Sequence, residues 1–175
     1  IAQSPGDTHE GVFYPRGSVV LVDELATARR DNPNQGLGWT TATTAAELTK
    51  MCERWDVKPR GVADDACFAR TGVNAGTIAD EFSRAGVYFE PAKKSDRITG
   101  WQFMRRMLAD AGQVDKPGLY ISRGCDYFWG TVPYLARDQK RVEDLDSSGP
   151  DHGADACRYG LMRLKRQAKV IPFKL

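Results

Sequence analysis

Apolar positions along this chain alternate between two spacings, and the alternation predicts the order of its elements. Ser18-Val19-Val20-Leu21-Val22 is a β-branched run bounded by Gly17 and by Asp23-Glu24, the pattern of a buried strand. Thr44-Ala45-Ala46-Glu47 has capping-box spacing, and Ala45, Leu48, Cys52 and Trp55 then recur at helical intervals. Gly61-Val62-Ala63 reads as a short strand running into Asp64-Asp65. Thr77 to Ala85 reads as a helix closed by Gly86, followed by the strand Val87-Tyr88-Phe89. Trp101, Met104, Leu108 and Ala111 mark a further helix stopped by Gly112, and Pro117-Gly118 turns into the strand Leu119-Tyr120-Ile121. A last helix is predicted from about Asp151 to Lys169, with Ala154, Cys157, Leu161, Leu164 and Ala168 on its apolar stripe.

Strands alternating with helices over this length predict an α/β sandwich. Two stretches lack a regular pattern. Residues 1–16 are polar and carry Pro5, Gly6, Gly11 and Pro15, as in a loop or hairpin tip. The connector from Gly124 to Pro150 is long for a plain loop, a length that usually accompanies function or packing over a site.

Composition narrows the class. The 175 residues suit one domain, with 41% hydrophobic and 27% charged residues as in ordinary globular proteins. A net charge of +2 neither requires nor excludes nucleic acid, so any basic surface must come from clusters: Lys93-Lys94-Arg97, Arg105-Arg106 and Arg163-Lys165-Arg166. Cys52, Cys67, Cys125 and Cys157 form no C-x-x-C pair, which argues against a zinc knuckle and fits a reducing compartment. Cys67 and Cys157 read as small buried hydrophobes. No apolar run approaches the ~20 residues that span a bilayer and no signal peptide opens the chain, so a cytoplasmic protein without membrane contact is expected. The opening IAQSPGDTHEG reads as a loop, as if the chain begins inside a larger protein.

Two acidic constellations could carry chemistry. Asp64 and Asp65 follow a strand end, where ligands gather in open α/β sheets; an acidic turn that merely ends the strand is the competing reading. Val142 to Gly160, VEDLDSSGPDHGADACRYG, places acids and His152 directly before the last helix. A helix starting near Asp151 puts Asp151, Asp155 and Arg158 on one face. Two carboxylates stacked there repel each other, a cost that a bound divalent cation would reverse. Helix capping accounts for Asp151 alone, and Arg158 could neutralise Asp155 without any ligand. Asp7-Thr8-His9-Glu10 is a weaker metal candidate in a terminal loop. Gly36-Leu37-Gly38 is only half a dinucleotide fingerprint, and neither a phosphate loop nor a G-x-S-x-G elbow occurs.

In order along the chain, YPRGSVVLVDEL (14–25), GVADDACF (61–68), TIADEFSRAGVYFEPAKKSDRITGWQFMRRML (77–108), GLYISRGC (118–125) and VEDLDSSGPDHGADACRYGLM (142–162) resemble the C-terminal nuclease domain of the large terminase subunit of tailed bacteriophages. The last motif is the most specific of them. The resemblance implies an RNase H-like mixed sheet flanked by helices from residue 17 onward. It also implies a metal-dependent endonuclease that cuts concatemeric viral DNA during packaging. By that resemblance Asp64 and Asp155 are metal ligands, Asp151 is an added ligand or supporting group, and His152 lies near the metals. Two Mg²⁺ or Mn²⁺ ions would activate water and neutralise the leaving oxygen, while Lys93, Lys94 and Arg97 would grip DNA phosphates. The family's first aspartate belongs to a strand upstream of Tyr14, so the sheet is expected to lack its opening strand. The implied partners are double-stranded DNA, an ATPase domain, a small terminase subunit and a portal ring. The competing expectation is an inactive remnant that only binds DNA or docks a protein, and junction-resolving nuclease chemistry is a third.

Overall fold

The computed structural model describes residues 1–70, 76–93 and 97–167. Its chain forms two compact units, one made of Ile1–Glu24 with the segment from Asp96 onward, the other of Leu25–Ser95. No shift of composition marks either junction.

The first unit is built on a mixed three-stranded sheet. β1 (Ala2–Gln3) pairs antiparallel with β4 (Val19–Leu21), and β4 pairs parallel with β7 (Leu119–Ile121), with Val19 opposite Leu119. Between β1 and β4 lies a hairpin of β2 (Asp7–His9) and β3 (Val12–Tyr14). Its two-residue turn, Glu10-Gly11, has φ of 49° and 77°, the doubly left-handed geometry that matches strand twist. Three helices follow: α3 (Arg97–Asp110), α4 (Asp126–Thr131) and α5 (His152–Gln167). α3 packs on β7 and α5, and α4 packs on α5. Val19, Leu119, Trp101, Met104, Met107, Phe128, Cys157 and Leu161 form the core. Burying a side chain the size of Leu119 or Leu161 stabilises the fold by about 1.5–3 kcal/mol.

α3 and α5 run side by side in the same direction. Arg97 meets Asp155, Gly100 meets Arg158, and Phe103 meets Lys165. The close approach depends on Gly100, where an added Cβ would lie 2.7 Å from Arg158 Cγ. Gly118 is tighter still, since a Cβ there would stand 2.5 Å from Ala111 Cα.

The second unit contains α1 (Thr41–Arg54) and a parallel pair, β5 (Arg60–Ala63) and β6 (Tyr88–Pro91), joined through α2 (Ile78–Arg84). Thr77 caps α2 in a reciprocal box with Asp80. Phe82 and Phe89 meet edge to face at 5.1 Å between this helix and strand.

The structure corrects two expectations. α1 begins one turn before the predicted box, because the Thr40 hydroxyl accepts from Thr43 N at 3.1 Å. Thr44 lies inside the helix with its hydroxyl donating to Thr40 O at 3.0 Å, and Glu47 pairs with Lys50 at 2.6 Å. The connector after Gly124 is not patternless: it holds α4, the 3-10 turn Val132–Tyr134, and an antiparallel bridge between Arg137 and Leu145. The predicted end of the last helix, including Ala168, lies outside the described residues. Among the described residues no helix is long and apolar enough to cross a membrane.

Candidate functional site

The bridged loop of the first unit presents Asp144. Asp146 N donates to Ala136 O at 3.0 Å, Asp138 N to Asp144 O at 3.1 Å, and Asp144 N to Arg141 O at 2.8 Å. Asp138 tightens the tip by accepting from Lys140 N and Arg141 N at 2.8 and 2.7 Å. Asp151 immediately precedes α5, and its carbonyl accepts from Asp155 N at 2.9 Å.

These acids converge on Arg97, at the start of α3. Arg97 Nε donates to Asp144 Oδ1 at 2.7 Å, and Nη1 lies 3.4 Å from both oxygens of Asp155. Nη2 donates to Ser147 Oγ at 3.1 Å and stands 3.9 Å from Asp151 Oδ2. Asp144 Oδ1 also accepts from Trp101 Nε1 at 3.0 Å and from Leu145 N at 2.8 Å. Asp155 Oδ1 takes two donors from Arg158, Nε at 3.1 Å and Nη2 at 2.8 Å. Arg158 is only 2% exposed. Its guanidinium stacks 4.8 Å from the Trp101 ring and 4.4 Å from that of Tyr159, geometry that offsets its burial.

The electrostatics follow from this placement. Three carboxylates face two guanidiniums, leaving one excess negative charge. Burial pushes the Asp151 carboxyl up and the charge of Asp155 pushes it further, outweighing the pull of His152, Arg97 and Ser147. Asp144 goes the other way. Burial would raise it, but Arg97, Leu145 N and Trp101 together hold it below the usual carboxylate range.

Of the residues singled out in the sequence, Asp151, Asp155, Arg158 and Arg97 come together here. His152 is peripheral: its side chain is 73% exposed, with Nδ1 3.9 Å from Asp151 Oδ1. Arg97, expected to face phosphate, has its guanidinium inside the acid cluster. Asp64 and Lys93 belong to the second unit. Asp64 Oδ1 accepts from Ala66 N at 2.8 Å and caps the 3-10 turn Asp65–Phe68; Lys93 is exposed. Lys94 lies outside the described residues. In the terminal hairpin, Asp7, His9 and Glu10 are all exposed.

Sequence reasoning passed over Asp144 and Trp101. The available signal was the acidic lead-in Glu143-Asp144 before the last helix, together with an indole needing a buried partner. Oxygen donors alone suit a hard divalent cation, and the excess negative charge favours one. The arrangement is nonetheless built around Arg97, and among the described residues no three His, Cys, Asp or Glu side chains are placed to hold a metal ion. No protein-family model, curated protein or solved structure significantly matches the chain.

Proposed function

We propose that this chain is an RNase H-like nuclease domain of the terminase type, acting on double-stranded DNA in the bacterial cytoplasm. One observation carries the reading. Asp144, Asp151 and Asp155 converge with an excess negative charge in the very segment whose letters carry the most specific part of the resemblance. By the resemblance, Asp151 and Asp155 are the residues of this cluster that would hold Mg²⁺ or Mn²⁺. Such ions supply an activated water and a neutralised leaving oxygen. By the resemblance His152, exposed beside Asp151, would lie near the metals. An ATPase domain, a small terminase subunit and a portal are the partners this reading brings with it.

The test is nicking of supercoiled plasmid with Mn²⁺ by the wild type, Asp155→Asn and Asp151→Asn. The expected result is nicking by the wild type and its loss in both variants, with circular dichroism unchanged. Equal nicking by wild type and Asp155→Asn removes Asp155 from the chemistry. A second reading, a non-catalytic DNA-binding or docking module, is favoured by the occupation of the acid cluster by Arg97. Salt-sensitive DNA binding that ignores Mn²⁺, with no nicking by any form, would select it.

A further inference from the structure

Arg106 and Lys165 come from two basic clusters of the sequence, Arg105-Arg106 and Arg163-Lys165-Arg166, and the first unit brings both onto one ring. The Arg106 guanidinium carbon lies 5.2 Å from the centroid of Phe103, and Lys165 Nζ lies 4.8 Å from the same centroid. Phe103 is itself packed against the core, so the ring is a fixed platform. It holds two long side chains in place while leaving their charges intact. Arg106 is exposed, and among the described residues neither cation forms an ion pair with an acid. Arg105 serves differently, donating to Glu143 O at 2.7 Å and to Trp101 O at 3.3 Å, which anchors the Asp144 loop.

We infer that Arg106 and Lys165, seated on Phe103, form a phosphate-contact ridge for duplex DNA on the paired α3–α5 face. Two cations sharing one ring, neither paired with a carboxylate among the described residues, concentrate positive charge that a polyanion would neutralise. The spacing favours a nucleic-acid backbone. Nine residues of α3 separate Arg97 from Arg106, about 14 Å of helix, and ten residues of α5 separate Asp155 from Lys165, about 15 Å. One strand of a duplex places a phosphate about every 3.4 Å along its axis, so about four nucleotides span ridge and acid cluster. The inference rests on the proposed function only for the identity of the polyanion.

The experiment measures anisotropy of a labelled 20-base-pair duplex with the full chain, in EDTA, between 50 and 200 mM salt. EDTA removes divalent ions, so the outcome is separate from cleavage: a ridge effect without plasmid nicking upholds the ridge and sinks the nuclease reading. The Arg106→Gln/Lys165→Gln double variant is expected to lose about 1.8 from the slope of log affinity against log salt. The wild type then loses about 12-fold more affinity than the variant over that salt range. Arg106→Gln alone, a change at an exposed position, is expected to lose about 0.9 should the double variant fold poorly. The Arg106→Lys/Lys165→Arg exchange is expected to keep the wild-type slope. Identical slopes for wild type and both Gln variants overturn the inference, as does absence of duplex binding by the wild type. Ridge-dependent binding of polyglutamate but not of duplex overturns it too, assigning the ridge to an acidic protein.

Discussion

Asp64 and Asp144 are both aspartates with a structural job, and they are held in opposite ways. Asp64 Oδ1 answers to Ala66 N, two residues along its own chain, and caps a short turn in the second unit. Asp144 Oδ1 answers to Arg97 and Trp101, 47 and 43 residues away, and ties a loop to α3 in the first unit. The first kind of contact forms as soon as the local backbone does. The second exists only after the core has assembled, and it leaves charged and polar groups stranded if one member is removed.

The largest expected effect therefore falls on the long-range side. Asp144→Ala strands the Trp101 N–H and unbalances Arg97, and should lower stability by about 2–3 kcal/mol, read from urea unfolding. A loss under about 0.5 kcal/mol would mean the cluster is solvated and the contrast with Asp64 empty. Gly100→Ala comes next, because the new methyl meets the Arg158 stem at 2.7 Å. Overpacking of about 1–3 kcal/mol outweighs the gain in helix propensity of about 1 kcal/mol, so the melting temperature should fall. A rise would show that α3 and α5 are not held this closely. Asp64→Ala should cost about 0.5–1 kcal/mol, the loss of one local cap. A loss as large as that of Asp144→Ala would erase the distinction.

The smallest effect is the sharpest in sign. The folded-state pKa of Asp151 is raised, first by burial and then by Asp155. The native state therefore binds more protons than the unfolded chain between the unfolded value of about 3.9 and the raised one. Stability from this group is complete below that unfolded value and is lost as pH rises through the folded one. Asp151→Asn should accordingly melt higher than the wild type at pH 7, with the gap closing below about pH 4. Asp144 works in reverse. Its folded value is depressed, so its contribution is present above about pH 4 and is lost as pH falls through the folded value. Opposite pH trends for Asp151→Asn and Asp144→Ala would place both carboxylates in one network under opposing fields.

The same divide between local and distant partners explains what could be read from the letters alone. β7 was legible to the residue, because Leu119-Tyr120-Ile121 follows a Pro-Gly turn and contains its own pattern. α5 was legible through its apolar stripe, and α2 through the Thr77 start. α4 was not, because its first amides are capped from afar: Tyr127 N and Phe128 N donate to Glu24 at 2.7 and 3.0 Å. Cys125, which precedes it, contributes no side-chain cap. The start of α1 was misplaced because Thr40 and Thr44 both look like caps, and only the first sits outside the helical backbone. Asp151, Asp155 and Arg158 followed from helical spacing. Arg97 was singled out for its charge alone, and nothing local announces that it would face inward.

Trp101 gives the network a voice of its own. The chain has four tryptophans. Trp39, Trp55 and Trp129 are 39, 48 and 45% exposed, whereas Trp101 is 3% exposed, with its indole N–H on Asp144 and both guanidiniums over its ring. A soluble quencher such as iodide silences the outer three and leaves the emission of the fourth. What remains is a label-free optical signal from the middle of the ion pairs.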